Sequence, residues 1–206
     1  MTRIKICGLT NREDALRAVE AGADALGLVF AGARRRVTPE TAELIVTGLP
    51  PLVSVIGVFL DHRVEEIKSI VRRVGLDRVQ LHGDESPRDC ERLAPKVIKR
   101  FNILENDTSE TLREQMERYR VSAYMLDPGA GSGRTFDWSL ARDLPGPLIV
   151  SGGLTPENVG EAIRTLRPYA VDVSSGVERE LGRKDVEKVK AFIRAVRMAD
   201  AERSDT

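Results

Sequence analysis

The chain is poor in the residues that by themselves hold metals or disulfides. It carries two cysteines, Cys7 and Cys90, and two histidines, His62 and His82, in 206 residues. Two distant cysteines make no disulfide framework, no Cys-x-x-Cys redox pair occurs, and four scattered donors do not space a zinc site. An excess of either charge is missing too: Lys+Arg and Asp+Glu both number 32, for a net charge of zero. No basic field draws in nucleic acid, so any anion must be held by local groups. No run approaches the roughly 20 consecutive apolar residues of a membrane span. The opening Met-Thr-Arg-Ile-Lys has no apolar signal region, which points to the cytoplasm. No stretch rich in Pro, Gly or Ser divides the chain, so one domain over 1–206 is expected, its tail fraying from about residue 200.

What is present is alternation. Short apolar runs near 3–6, 24–30, 52–59, 77–81, 96–101, 121–126, 147–150 and 170–173 read as strands, with helix-like segments between them. Most are continuous rather than alternating, as in Leu148-Ile149-Val150, which favours parallel strands covered on both faces. Thr10 with Glu13 reads as a capping box, and Thr38-Pro39, Ser86-Pro87 and Thr155-Pro156 read as helix starts with proline at the first position. Gly22-Ala23-Asp24 and Gly75-Leu76-Asp77 end helices and re-enter strands. Between 102 and 120 the pattern weakens to a loop (Asn102–Ser109) and a polar helix (Glu110–Arg120). A strand–helix unit repeated eight times at about 25 residues each makes a compact, single-domain (β/α)8 TIM barrel of the α/β class. A doubly wound open sheet is the alternative, and it would separate the first strand from the sixth.

Closure of the barrel decides what the polar residues can do. Cys7 ends the first strand in Lys5-Ile6-Cys7-Gly8, and Asp127 ends the sixth in Tyr124-Met125-Leu126-Asp127. In a barrel both face one mouth, where a thiolate and a carboxyl form a base and an acid. Cys7 also reads as a small buried apolar side chain, and Asp127 as a cap for the turn at Pro128. Lys5, on the same strand face as Cys7, is a cation that could help stabilise a thiolate. Cys90, inside a helix, is expected to be structural. Phosphate in such barrels is often held by the loops after strands seven and eight. Those loops read Ser151-Gly152-Gly153-Leu154 and Asp172-Val173-Ser174-Ser175-Gly176-Val177, small enough for backbone N–H groups to approach an anion. Pro128-Gly129-Ala130-Gly131-Ser132-Gly133 resembles a lid, and its Gly-x-Gly-x-Gly is no dinucleotide fingerprint, since Thr135-Phe136-Asp137-Trp138 follows. Arg34-Arg35-Arg36 after strand two offers a fork for a carboxylate or merely a solvated loop. His82, ending Gln80-Leu81-His82, lines the pocket or bonds a loop.

These segments together resemble the phosphoribosylanthranilate isomerases of tryptophan biosynthesis. The likeness runs through Lys5-Ile6-Cys7-Gly8-Leu9-Thr10, Gln80-Leu81-His82-Gly83, Leu126-Asp127, and Gly131-Ser132-Gly133 with Phe136-Asp137-Trp138. It continues through Ser151-Gly152-Gly153-Leu154-x-Pro156-x-Asn158-Val159 and Val171 to Glu178. The resemblance implies a cofactor-free barrel and an Amadori rearrangement of a phosphorylated sugar–anthranilate substrate. It makes Cys7 the general base and Asp127 the general acid, puts Asp172 near the reacting sugar, and gives an arginine of the second loop to the anthranilate carboxylate. Counting back from Pro39 selects Arg35, with Ala33 where the family commonly has serine; Ala130 stands where it has glycine. Lys5 and His82 are expected beside the substrate, and Gly152, Gly153, Ser174, Ser175 and Gly176 around its phosphate. Two rivals remain: the related sugar isomerase of histidine biosynthesis, and a phosphate-binding barrel without catalysis. Monomer and homodimer stay equally open.

Overall fold

The computed structural model describes residues 1–32, 34–129 and 135–202. Eight parallel strands close into a barrel in chain order: β1 (Arg3–Cys7), β2 (Ala25–Val29), β3 (Ser54–Phe59), β4 (Arg78–Leu81), β5 (Val97–Asn102), β6 (Ala123–Asp127), β7 (Leu148–Val150) and β8 (Ala170–Val173). β1 pairs with both β2 and β8, so no open edge is left and the doubly wound alternative is excluded. Helices α1 (Arg12–Glu20), α2 (Pro39–Val46), α3 (Val64–Val74), α4 (Pro87–Leu93), α5 (Ser109–Met116), α6 (Val159–Leu166) and α7 (Val186–Glu202) cover the outside. None of them is long and apolar enough to cross a membrane.

The continuous apolar runs are explained by two cores, one on each face of the strands. Residues such as Ile4, Ile6, Leu26, Leu28, Phe59, Leu81, Leu126 and Val150 pack outward against the helices. Ile56, Ile98, Ala123, Met125, Ile149 and Ala170 fill the barrel from within. Side chains alternate along a strand, so two residues beyond Ile98, Met125, Ile149 and Ala170 come Arg100, Asp127, Ser151 and Asp172. The barrel is therefore apolar at its amino-terminal end and polar at its carboxyl-terminal mouth.

Three local expectations are corrected. Asn11, not Thr10, caps α1: its side chain accepts the Asp14 N–H, while the Thr10 hydroxyl donates to the Gly182 carbonyl at 2.6 Å. Thr155-Pro156 forms a turn before the helix, and α6 begins only after Asn158. The sixth unit has no α-helix among the described residues; a single 3-10 turn, Trp138–Ala141, links β6 to β7. Thr38 and Ser86 cap α2 and α4 as expected, and Gly75 ends α3 in the left-handed conformation.

The polar helix after β5 is shorter than expected, ending at Met116. Helix α7 runs through Asp200, where the expected tail begins, as far as Glu202. Asp200 is buried in α7, where its carboxylate takes the Thr2 N–H at 2.6 Å and the Thr2 hydroxyl at 2.7 Å. That contact ties the last helix across the foot of β1.

Candidate active site

At the mouth of the barrel lies a cavity of about 310 Å³, at the small end for ligand pockets. Cys7 and Asp127 both line it, as do His82, Asp172 and the two loops after β7 and β8. Beneath it a polar chain crosses the barrel. Lys5 Nζ donates to Asp172 Oδ1 at 2.7 Å, and Ser151 Oγ lies 3.2 Å from Asp172 Oδ2 and 3.3 Å from Asp127 Oδ2. Lys5 is 2% exposed and Asp172 5%, so the pair persists only because each charge is compensated. Burial alone would lower Lys5, but Asp172 and Cys7 outweigh it and hold the ammonium above its ordinary value. Lys5 does not itself line the cavity; it is buried against Asp172, which does.

Burial pushes the Cys7 thiol above its ordinary value, against the opposing pull of Lys5. At neutral pH Cys7 is then a thiol with a cation at hand, not a standing thiolate. Cys90 is buried in α4 and pushed up to about 11, so it is not a reactive thiol. Asp127 does cap its turn, accepting the Gly129 N–H on Oδ1 at 2.9 Å, yet it also lines the cavity with Oδ2 toward Ser151. Burial and the nearby cations Lys5, Arg100 and Lys99 push His82 down to about 3, which makes it a neutral imidazole resting against the Gln80 amide.

Gly152, Gly153, Ser174, Ser175 and Gly176 all border the cavity. Their two loops touch: a Cβ on Gly176 would sit 1.9 Å from the Leu154 carbonyl oxygen, so only glycine allows this approach. Of the three arginines, Arg34 and Arg35 line the cavity, whereas exposed Arg36 makes a bridge with Val29. Arg35 is forked onto Glu178 by two bonds of 2.7 Å. Ala33 and the lid residues Ala130–Gly133 lie outside the described residues. No cluster of His, Cys, Asp or Glu among the described residues could hold a metal.

Over residues 4–195 the chain matches the family model for N-(5'-phosphoribosyl)anthranilate (PRA) isomerase. The chain belongs to that family. The N-(5'-phosphoribosyl)anthranilate isomerase of Geobacter sulfurreducens is 49% identical to it, the match covering 94% of this chain and 98% of the relative. The phosphoribosyl anthranilate isomerase of Thermotoga maritima superposes with a TM-score of 0.87 at 42% identity, over 96% of this chain and all (100%) of that one. A phosphoribosyl anthranilate isomerase in complex with reduced 1-(o-carboxyphenylamino)-1-deoxyribulose 5-phosphate superposes with a TM-score of 0.85, also at 42% identity, over 96% of this chain and 100% of that one.

Several residues that shape this PRA isomerase family site were not singled out from sequence. Ser151 was read only as part of a loop, and Glu178 only as the end of a motif. Gly27 had a legible signal, since an isolated glycine within a strand marks a close approach. A Cβ there would stand 2.6 Å from Cys7 Sγ and 3.0 Å from Cys7 Cα. Gly27→Ala is therefore expected to displace the thiol and lower kcat/KM about 100-fold, the scale of a 1 Å misplacement. Steady-state kinetics beside a thermal melt would check it; an unaltered rate in the folded variant would mean the thiol's position does not matter. Arg100 faces inward on β5, where Nη2 donates to the Asp127 carbonyl at 3.2 Å. Nothing in its sequence context pointed there.

Proposed function

We propose that the protein converts N-(5'-phosphoribosyl)anthranilate to 1-(2-carboxyphenylamino)-1-deoxyribulose 5-phosphate, with Asp127 as general acid and Cys7 as general base. The observation that carries this is the meeting of Cys7 and Asp127 in one cavity bordered by two glycine- and serine-rich loops. Asp127 gives its proton to the furanose oxygen, the bond from that oxygen to C1' breaks, and the nitrogen lone pair closes a C1'=N iminium. The positive nitrogen acidifies C2'–H. Cys7, as thiolate, takes that proton, and the released electrons form C1'=C2' and neutralise the nitrogen. The resulting enol tautomerises to the C2' ketone. Each such group contributes roughly 10²- to 10⁴-fold in rate.

The hydrogen-bond inventory supports these roles. Ser151 has one hydroxyl proton for two carboxyls, and Asp172 is ion-paired with Lys5. The Ser151 hydroxyl thus stands between Asp127 Oδ2 and Asp172 Oδ2, and Lys5 balances the charge on Asp172. Arg35 suits the anthranilate carboxylate, and the loops of Gly152–Gly153 and Ser174–Gly176 suit the phosphate. His82, neutral and beside the cavity, suits a hydrogen bond to the sugar.

The bisphosphate substrate of the histidine-pathway enzyme fits poorly. Its second phosphate would need the loops after β3 and β4. There Glu85 already accepts the Asp61 and Gly83 N–H groups at 3.0 and 3.2 Å, and Lys99 Nζ at 3.0 Å. A phosphate would meet a buried carboxylate on donors that are already taken.

The test makes the labile substrate in place from anthranilate, phosphoribosyl pyrophosphate and a phosphoribosyltransferase, then follows the decay of its fluorescence. Folded protein should accelerate the decay well beyond the spontaneous rate. No acceleration would leave a phosphate-binding barrel without this activity.

A further inference from the structure

Arg35 is held in an unusual way for a residue expected to grip a ligand. Its backbone is left-handed (φ 59°), a conformation costly for a residue with a side chain and kept only where the surroundings fix it. The side chain crosses above Gly8, where a Cβ would stand 2.5 Å from Arg35 Cδ. Its Nε and Nη2 both end on Glu178, at 2.7 Å each, and the two side chains are 13% and 7% exposed. Glu178 is itself fixed. Lys184 Nζ donates to Glu178 Oε1 at 3.0 Å and to the Ser174 carbonyl at 3.1 Å, while Lys188 Nζ holds the Glu178 carbonyl at 2.9 Å. Lys184 N in turn donates to Asp14 Oδ2 at 3.0 Å.

A guanidinium has two edges that match a carboxylate, one made by Nε with a terminal nitrogen and one by the two terminal nitrogens. Glu178 occupies the first. The second is the edge that Glu178 does not take up, on a side chain that borders the cavity. We propose that Glu178 is a positioning residue: it grips one edge of Arg35 so that the other meets the aromatic carboxylate of the ligand, and Lys184 ties that grip to the loop after β8. The inference rests on the reading that the ligand carries an anthranilate carboxylate. The opposite arrangement, in which the ligand evicts Glu178 from Arg35, predicts the opposite sign.

Calorimetry with two ligands separates them: reduced 1-(o-carboxyphenylamino)-1-deoxyribulose 5-phosphate and its phenyl counterpart lacking the carboxyl group. Wild type should prefer the carboxylate ligand. Glu178→Gln should weaken that ligand about tenfold, the scale of a charge-assisted fork lost, and change the phenyl ligand less than about twofold. In turnover KM should rise with kcat nearly unchanged, the mark of lost uniform binding and not of lost chemistry. Arg35→Lys keeps the Glu178–Lys184 pair but has no second edge, so it should show the same selective loss even if Glu178→Gln fails to fold. Equal or tighter binding of the carboxylate ligand by either variant, or equal weakening of both ligands, would overturn the grip. If wild type binds neither ligand, the functional reading itself falls. If it binds both equally, the carboxylate assignment falls and takes the inference with it.

Discussion

Cys7→Ser is expected to lower kcat about 10²- to 10⁴-fold, the span of a lost general base, while the protein stays folded. The hydroxyl is smaller than the thiol and enters space that Gly27 already keeps open, so no clash arises. What changes is the acidity. A thiol ionises near 9.0 and burial moves Cys7 higher, whereas a serine hydroxyl does not ionise in the working range. The sign of the Cys7 contribution follows: a base with a raised pKa is more often competent as pH rises, so Cys7 gives kcat/KM an ascending limb that continues above neutrality, set against the descending limb of a general acid that loses its proton. The serine variant should lose that limb. His82 gives the contrast. An imidazole pushed down to about 3 is unprotonated throughout, so a base there would give a profile flat above pH 5 and indifferent to serine at position 7. Stopped assays of fluorescence decay across pH with both proteins distinguish the two.

How much of this was legible in the chain depended on the reach of the interaction. The eight strands show as apolar runs because a parallel strand buried on two faces has no polar face to interrupt it. The sixth crossover does not show. Glu110–Arg120 and Thr135–Trp138 give no sign that an α-helix after β5 would be followed, among the described residues, by only a 3-10 turn after β6. Thr10 followed by Glu13 satisfies the local rule for a cap, but the Thr10 hydroxyl is drawn away by Gly182, 172 residues further on. Asn11 then does the capping. Thr155 fails similarly, because the Asn158 side chain takes the Thr155 N–H and donates to the Gly153 carbonyl, forming a turn where a helix start was expected.

The site follows the same division. The meeting of Cys7 and Asp127 in one cavity was legible because the strand ends of a closed barrel converge on one mouth. Lys5 was put on the same strand face as Cys7, but its partner Asp172 is 167 residues away, and no local pattern marks that ion pair. Glu178 escaped notice because its meaning lies in Arg35, 143 residues back, and in a left-handed backbone that no local pattern announces.

Asp127→Asn should cost as much as Cys7→Ser, about 10²- to 10⁴-fold in kcat, and for a reason that the hydrogen bonds make unusually clean. The asparagine carbonyl can still accept the Gly129 N–H, now made to Oδ1 at 2.9 Å. Its amide N–H can donate to Ser151 Oγ, leaving the serine proton for Asp172 3.2 Å away. Every partner stays satisfied, so the melting temperature should move by no more than about 3 °C, roughly 1 kcal/mol for a domain of this size. The amide has no proton to give up to the furanose oxygen. Ring opening should therefore become rate-limiting while KM, set by the phosphate and carboxylate ends, changes little. Rapid decay of substrate fluorescence by the folded variant would show that the furanose oxygen takes its proton from another group, and the chain through Ser151 and Asp172 would then be a scaffold for the barrel mouth and no part of the acid.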